Sequence, residues 1–367
     1  IWGELLGIES VGRHDDFFAS GGHSLMALRM FSRLNRETGA SLPLATLIQN
    51  PTIATLAPLL STKEPEAPRD ARPLPGTSKK PTKGNIVTLS QGAGNRRIFC
   101  IHGGDGGVIF YRGLAAKMPR EYSFHAVESL ELGNSGPVER SSIEETAAAY
   151  LQSILEIQKE GPFKLAGYSF GGVVAHEIAC QLQDLGHVVD FLGLFDTHNP
   201  AAPSRAYGMG ERFGVFWQQT SGAPVSERIG LLKTRIFEGM QTHRRVKAEI
   251  KAAQSLGPAE AYSDLRRVQV REENWRAMQA YRPRPFNGRI TLFKTSHVSD
   301  KVERPADYGW AGVALSGLDI VAVSGHHLAL FAPENIDSLS DSLLGSLKRI
   351  DPRITDSPPT TTCPGAP

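Results

Sequence analysis

The stretch FKLAGYSFGGVVAHEIACQL, residues 163–182, joins a strand pattern to a helix pattern at a single serine, Ser169. A short apolar run precedes the serine, and apolar residues with helical spacing follow it. Gly167 and Gly171 flank it, and small residues there relieve the crowding of a tight strand-to-helix turn that exposes the hydroxyl. In this context the Gly-x-Ser-x-Gly pattern predicts a nucleophilic serine.

Strand and helix patterns alternate along most of this part of the chain. Apolar runs predict strands at Ile86 to Leu89, Ile98 to Ile101, Phe124 to Val127, Lys164 to Ala166, Phe191 to Phe195, Ile290 to Phe293 and Ile320 to Val323. Helices are predicted at Ser142 to Glu160, where Ser142 and Glu145 have capping-box spacing, and at Gly172 to Leu185. This alternation favours a mostly parallel sheet covered on both faces. The interval from about Pro200 to Pro285 is helical in pattern and lacks a strand pattern.

A nucleophilic serine needs a base, and the base needs an acid that holds its tautomer. In this fold the partners follow in the order Ser, Asp, His. Asp196 ends the run VVDFLGLFD and is the first candidate for the acid, because the carboxyl end of a buried strand faces the crevice. Asp300, one strand later, is the alternative acid. In VAVSGHHLALF, either His326 or His327 is the candidate base.

The developing oxyanion needs hydrogen-bond donors. The backbone N–H of Phe170, directly after the serine, is one candidate. The glycine-rich stretch CIHGGDGGVIF, residues 100–110, follows a predicted strand and supplies the other. It lacks the lysine and serine or threonine of a P-loop, so phosphate binding is the weaker interpretation.

A proline-rich and charged segment between Ser61 and Lys83 separates a small N-terminal unit from this large one, and we interpret it as a linker. The small unit has helical patterns from about Ser24 to Thr38 and again after Pro51. Ser24 follows Gly-Gly-His at the start of the first helix. Because no acid is placed to orient His23, a catalytic role for Ser24 is disfavoured, which leaves a helix cap or an attachment point.

Charge and composition exclude several classes of protein. The formal net charge is +2, so nothing favours a nucleic-acid or anionic-lipid partner. No apolar run has the length of a membrane helix. Three cysteines are too few and too scattered for a disulfide framework or a structural zinc site, so we expect a cytoplasmic protein without a metal centre. The helical pattern already present at Ile1 indicates a piece of a longer polypeptide.

Two sets of motifs resemble a known arrangement. DDFFASGGHSLMALRM resembles the carrier-protein motif of non-ribosomal peptide synthetases. GYSFGG, LFDTHNP and SGHH resemble the type I thioesterase that ends such assembly lines, as does the Tyr-x-Pro segment in ENWRAMQAYRPRPFNGRITLF. The resemblance extends from Ile1 to about Ile350, and the pairing of both motif sets across a linker is more specific than either set alone.

The resemblance implies a fold and a domain order. It implies a small all-α carrier domain, a helical bundle, over residues 1–62 and a Pro-rich linker over 63–85. An α/β-hydrolase domain with a mostly parallel sheet would cover 86–351, with a helical lid at about 200–285. We expect residues 352–367 to form a disordered tail.

The resemblance also implies roles for individual residues. Ser24 would carry 4'-phosphopantetheine, whereas Ser169 would be the nucleophile, Asp196 the acid and His327 the base. The amides of Gly104 and Phe170 would form the oxyanion hole. The chain departs from the family at Gly103-Gly104, where Pro-Ala is common, and at His326, where Asp or Asn is common.

The implied function is terminal release of an aminoacyl or peptidyl chain from a carrier-bound thioester, by hydrolysis or macrocyclisation. The implied partners are upstream condensation and adenylation domains, a phosphopantetheinyl transferase and the carrier-bound substrate. The alternative is a free-standing serine esterase beside a helical docking module that carries no arm. A proofreading enzyme that clears wrongly loaded carriers is a third, weaker hypothesis.

Overall fold

The computed structural model describes residues 1–8, 10–17, 20, 24–38, 46–47, 50–60, 85–134, 137–206, 258–296 and 302–351. The predicted tail, nearly all of the predicted linker, the middle of the predicted lid, His23 and Asp300 lie outside these residues.

A seven-stranded sheet forms the centre of the large unit, with strand order β1-β3-β2-β4-β5-β7-β9. Its strands are β1 (Ile86–Ser90), β2 (Arg96–Ile101), β3 (Tyr122–Val127), β4 (Phe163–Tyr168), β5 (Val189–Phe195), β7 (Ile290–Thr295) and β9 (Leu318–Val323). β1 pairs with β3 in the antiparallel direction, and the other neighbours are parallel. All seven predicted strands are therefore confirmed, as is the mostly parallel sheet of an α/β-hydrolase.

Helices cover both faces of this sheet. They are α4 (Arg112–Ala116), α5 (Ile143–Ile157), α6 (Phe170–Asp184), α7 (Pro258–Ala280) and α8 (Ile336–Ile350). Neighbouring strand residues point to opposite faces: Leu194 packs with α5 and α6, whereas Phe195 packs with α4 and α8. A strand buried on both faces must be apolar at consecutive positions, which explains the continuous apolar runs in the sequence.

The start of α5 follows the predicted capping box. Ser142 Oγ accepts a hydrogen bond from the Glu145 amide at 3.1 Å, and the Ser142 amide donates to Glu145 Oε2 at 2.8 Å. These two bonds satisfy backbone donors that have no partner inside the helix.

One short element of the predicted lid interval was missed. β6 (Arg205–Ala206) pairs in the antiparallel direction with β8 (Val302–Glu303). Two residues are too few to produce a readable alternation of apolar and polar side chains, so the prediction of an interval without strands was wrong here. The described C-terminal part of the interval is helical, as predicted, because it contains α7.

The described residues of the first sixty contain α1 (Trp2–Leu6), α2 (Ser24–Thr38) and α3 (Ile53–Leu60). Trp2, Phe17, Met30 and Leu56 are buried among them in a small apolar core. The helices predicted at 24–38 and after Pro51 are both present. In the part of the chain that the structure describes, no helix combines the length and the apolar composition needed to cross a bilayer.

The two glycines around Ser169 allow α6 to lie directly against the sheet. A Cβ atom at Gly171 would overlap the carbonyl oxygens of His102 and Ile101. One at Gly167 would overlap the Gly171 carbonyl. The Gly-x-Ser-x-Gly pattern is thus a requirement of packing as well as of the turn.

We expect Gly171→Ala to lower the free energy of unfolding by roughly 2 to 4 kcal/mol, because α6 would have to move away from β2. Urea unfolding measures the change. Gly345→Ala in α8 is the matched control, since no atom lies within 4 Å of its added Cβ and the fold should gain up to ~1 kcal/mol. Equal effects of the two substitutions would contradict the steric argument.

Candidate active site

Ser169 lies in a strained turn between β4 and α6. Its backbone has φ 55° and ψ −113°, a left-handed φ that costs a non-glycine residue on the order of 1 to 3 kcal/mol. The Ser169 amide donates to the Phe195 carbonyl at 3.0 Å, and the Gly172 amide donates to the Ser169 carbonyl at 3.1 Å. These bonds hold the serine at the carboxyl end of the sheet.

Asp196 directly follows β5, the strand next to β4. Its side chain is buried, and its Oδ2 accepts a hydrogen bond from His327 Nδ1 at 2.7 Å. The Asp196 amide donates to the Phe293 carbonyl at 2.8 Å, which fixes the residue against β7. The carboxylate thus orients the imidazole through Nδ1.

The other carboxylate oxygen of Asp196 is held by donors that the sequence did not reveal. Oδ1 accepts hydrogen bonds from the Thr295 amide at 3.0 Å and the Thr295 hydroxyl at 2.9 Å. It also accepts one from the Tyr308 hydroxyl at 3.3 Å. Burial acts to raise the pKa of the carboxyl, but the hydrogen bonds from His327 and Thr295 outweigh burial and lower the pKa below its ordinary value. Asp196 therefore stays ionised at neutral pH.

His327 begins a single 3₁₀ turn after β9. The Tyr168 hydroxyl donates to the His327 carbonyl at 2.7 Å, and the two rings lie 4.9 Å apart between centroids. Since Tyr168 precedes Ser169, this contact ties the histidine loop to the serine turn. His326 is exposed at the cap of the 3₁₀ turn, so the histidine that the structure joins to Asp196 is His327.

The glycine-rich loop after β2 is anchored by a buried histidine. The two ring nitrogens of His102 lie 2.6 Å from the Gly103 carbonyl oxygen and 2.7 Å from the Tyr150 hydroxyl. Burial lowers the pKa of His102 to about 4, so the ring is neutral. The ring also stacks on Phe170 at 5.6 Å, so it links Phe170 to Gly103, the residue before Gly104. Phe170 and Gly104 are the two residues predicted to supply oxyanion donors.

Helix α7 contacts the glycine-rich loop through two of its side chains. Asn274 Nδ2 donates to the Gly104 carbonyl at 2.9 Å, and Arg267 pairs with Asp105 at 2.7 Å. The buried Arg266 pairs with Glu131 at 2.8 Å. Sequence reasoning missed the roles of these residues, because Asn274 and Gly104 are separated by 170 positions and no local pattern in α7 indicates a contact with that loop.

Ser24 is the first residue of the fifteen-residue helix α2. The first amides of a helix have no partner within it, and the helix dipole is positive there, so the position favours a phosphate group. The backbone placement of Ser24 therefore fits attachment of a phosphopantetheine arm.

Two family models match the chain. The thioesterase domain family matches residues 96–347, and the phosphopantetheine attachment site family matches residues 1–60. The first match covers more than half of the chain, and the chain belongs to the thioesterase domain family, a hydrolase-type class of enzyme. The second match adds a domain that carries 4'-phosphopantetheine as a covalent cofactor.

The relatives include proteins named as synthetases and as a dimodular nonribosomal peptide synthase. The chain is 25% identical to malpibaldin synthetase of Mortierella alpina over 352 residues, which are 95% of this chain and 6% of that protein. It is 25% identical to enterobactin synthase component F of Escherichia coli (strain K12) over 350 residues, 94% of this chain and 24% of the relative. The chain thus spans less than a quarter of either protein.

A solved structure with a similar fold is that of a four-domain nonribosomal peptide synthetase bound to AMP and glycine. It has a TM-score of 0.57 and 23% sequence identity, and the match covers 96% of this chain and 25% of that one. At this identity the likeness shows the fold alone.

We expect Thr295→Val to lower the free energy of unfolding at pH 7 by roughly 1.5 to 3 kcal/mol, because an ionised buried carboxylate loses a donor. Because folding lowers the pKa of Asp196, its ionised carboxylate stabilises the fold at pH values above the pKa of the same group in the unfolded chain. This contribution is lost as the pH falls through the pKa of Asp196 in the folded protein. The difference between wild type and Thr295→Val should therefore shrink from pH 7 towards pH 3 in urea unfolding.

Thr295→Ser keeps the hydroxyl and is the matched control, since it should retain most of this stability at pH 7. A difference between wild type and Thr295→Val that does not change with pH would contradict an electrostatic role for the Thr295 hydroxyl.

Proposed function

We propose that this chain is the terminal carrier and thioesterase part of a non-ribosomal peptide synthetase. It would release an aminoacyl or peptidyl chain from the carrier, by hydrolysis or macrocyclisation. The 2.7 Å hydrogen bond between His327 Nδ1 and Asp196 Oδ2, beside the strained Ser169 turn, is the observation that carries this proposal. The match of residues 1–60 to a phosphopantetheine attachment site supports the carrier half.

The proposed domain order is a carrier domain at 1–62, folded as a helical bundle, a linker at 63–85 and a thioesterase domain at 86–351 with a helical lid at about 200–285. A flexible linker of this length spans on the order of 25 Å, and its prolines extend it further. A tether of that reach keeps the carrier at high local concentration near Ser169.

In the proposed acyl transfer, Ser24 holds the 4'-phosphopantetheine arm, whose terminal thiol carries the acyl group as a thioester. Ser169 Oγ attacks the thioester carbonyl carbon while His327 Nε2 accepts the serine proton. The electron pair of the carbonyl moves onto oxygen, and the amides of Gly104 and Phe170 stabilise this charge. The C–S bond then breaks, and His327 returns the proton to the sulfur.

The second half of the reaction releases the product. Water, or a hydroxyl or amine within the acyl chain, attacks the ester carbonyl and gives its proton to His327. The bond to Ser169 Oγ breaks, and His327 protonates the serine again. Asp196 stabilises the imidazolium that forms in each half. A lid that excludes bulk water would favour the internal nucleophile, so residues of the lid would decide between hydrolysis and cyclisation.

The proposed partners are upstream condensation and adenylation domains of the same synthetase and a phosphopantetheinyl transferase. The relatives are named as a synthetase and a synthase component, and because this chain spans a small part of each, further domains of such a protein are proposed partners. A cytoplasmic location stays a prediction.

A serine-directed fluorophosphonate should label Ser169 and nothing in Ser169→Ala, as read by peptide mass spectrometry. Asp196→Asn should lower kcat for a soluble thioester by roughly 10³ to 10⁴, because the imidazole loses its orienting partner. Asp300→Asn is the matched control and should retain activity. The opposite result for the two carboxyl variants would transfer the role of the acid to Asp300.

Incubation with a phosphopantetheinyl transferase and coenzyme A should add one arm to the full chain, and Ser24→Ala should abolish the gain in intact mass. Hydrolysis of a soluble thioester should be the same in both proteins, because it bypasses the carrier. A chain that gains no arm but still hydrolyses soluble esters would favour a free-standing esterase with a docking module.

A further inference from the structure

The small N-terminal unit and the large unit are joined by an ion pair. Arg112 Nη2, at the first residue of α4, lies 2.8 Å from Asp16 Oδ2. Each side chain is about one-third exposed, at 31% for Arg112 and 30% for Asp16. Helix α2, which begins at Ser24, also lies against α7. Among the described residues, the N-terminal unit therefore contacts the large unit at α4 and at α7.

The loop that carries Asp16 is held firmly in the carrier unit. The next residue, Phe17, is fully buried, and its ring packs edge-on against Trp2 at 5.1 Å. The Phe17 amide donates to the Pro51 carbonyl at 2.8 Å, and the Ala54 amide donates to the Arg13 carbonyl at 2.8 Å. Asp16 thus has a fixed position relative to the carrier core, as a recognition residue requires.

Arg112 is connected to the serine turn through the two residues that precede it. The neighbouring Tyr111 is buried and donates through its hydroxyl to the Ile101 carbonyl at 2.8 Å, at the end of β2. Phe110 packs against the ring of Tyr168 at 5.4 Å, and Tyr168 directly precedes Ser169. On the other side, α7 holds the Gly104 carbonyl through Asn274. Hence α4, which follows the glycine-rich loop in the chain, and α7, which bonds to it, both border this loop.

We propose that the Asp16–Arg112 ion pair and the contact of α2 with α7 form the docking surface from which the carrier delivers its acyl group to Ser169. This inference rests on the proposed function and identifies which face of the carrier the thioesterase recognises. A partly exposed ion pair is weak and screened by salt. Weakness suits this role, because a tethered carrier already has a millimolar effective concentration and must leave again to visit other domains.

Charge reversal in the full-length, arm-bearing chain tests the docking surface. The protein is loaded at Ser24 with one acyl group and kept dilute, so that transfer occurs within a chain. Rapid quenching and peptide mass spectrometry then follow the loss of the acyl group from the Ser24 peptide. Asp16→Arg and Arg112→Asp should each slow this loss by roughly threefold at low salt, and the double reversal should restore it to within about twofold.

Two controls separate docking from damage to the fold or to the chemistry. Hydrolysis of a soluble thioester with the same acyl group should be unchanged in all three variants, because it needs no carrier. Lys117→Asp reverses a similar exposed ion pair, 2.7 Å from Asp337 within the thioesterase, and should leave the loss from Ser24 unchanged. Raising the salt concentration should reduce the difference between wild type and the single variants.

The outcomes distinguish this inference from the proposed function. An active wild type whose single variants lose the acyl group at the wild-type rate would overturn the docking surface alone. The docking surface would also be overturned if both single variants lose the acyl group slowly and the double reversal loses it no faster than they do. The two charges would then act separately. A wild type that gains no arm, or that fails on the soluble thioester, would overturn the proposed function and this inference with it.

Discussion

The close approach of α6 to the ends of β2 and β4 is the constraint on which the rest of the structure depends. A side chain at Gly167 or Gly171 would overlap main-chain atoms, so the helix and the sheet pack at backbone distance there. Because α6 begins directly after the turn, the same packing imposes the left-handed φ of 55° on Ser169. Burial of the apolar face of α6 against the sheet offsets this local strain, and the strained residue is the one whose hydroxyl must be exposed.

Around this turn, the crevice is organised by one buried carboxylate. Both oxygens of Asp196 have assigned partners, since Oδ2 meets His327 and Oδ1 meets Thr295 and Tyr308. A carboxylate anchored on one side cannot rotate, so the imidazole that it orients is fixed as well. The glycine-rich loop is held in a similar way at two places. The His102 ring contacts the Gly103 carbonyl, and Asn274 of α7 donates to the Gly104 carbonyl. Removing a supporting hydrogen-bond donor therefore changes the geometry of the site as well as the energy of the bond that is lost.

Ser24 and Ser169 differ in their local structure, and the difference suits two kinds of chemistry. Ser169 lies between a strand and a helix at the edge of the sheet where His327 and Asp196 also meet. Ser24 starts a helix, where unpaired amides and the helix dipole favour a phosphate group. The ion pair from Asp16 to Arg112 joins the two units that contain these serines.

By itself the sequence determined the seven strands, the capping box of α5, the start of α2 and the serine turn, because each depends on residues that are close together in the chain. It narrowed the candidate base to two adjacent histidines and the candidate acid to two aspartates. Only the tertiary structure decided which histidine meets Asp196, and only it revealed Thr295, Tyr308 and Asn274. The hydrogen bonds of these residues join positions 99 to 170 apart, and local periodicity carries no information about which distant side chains the sheet brings together.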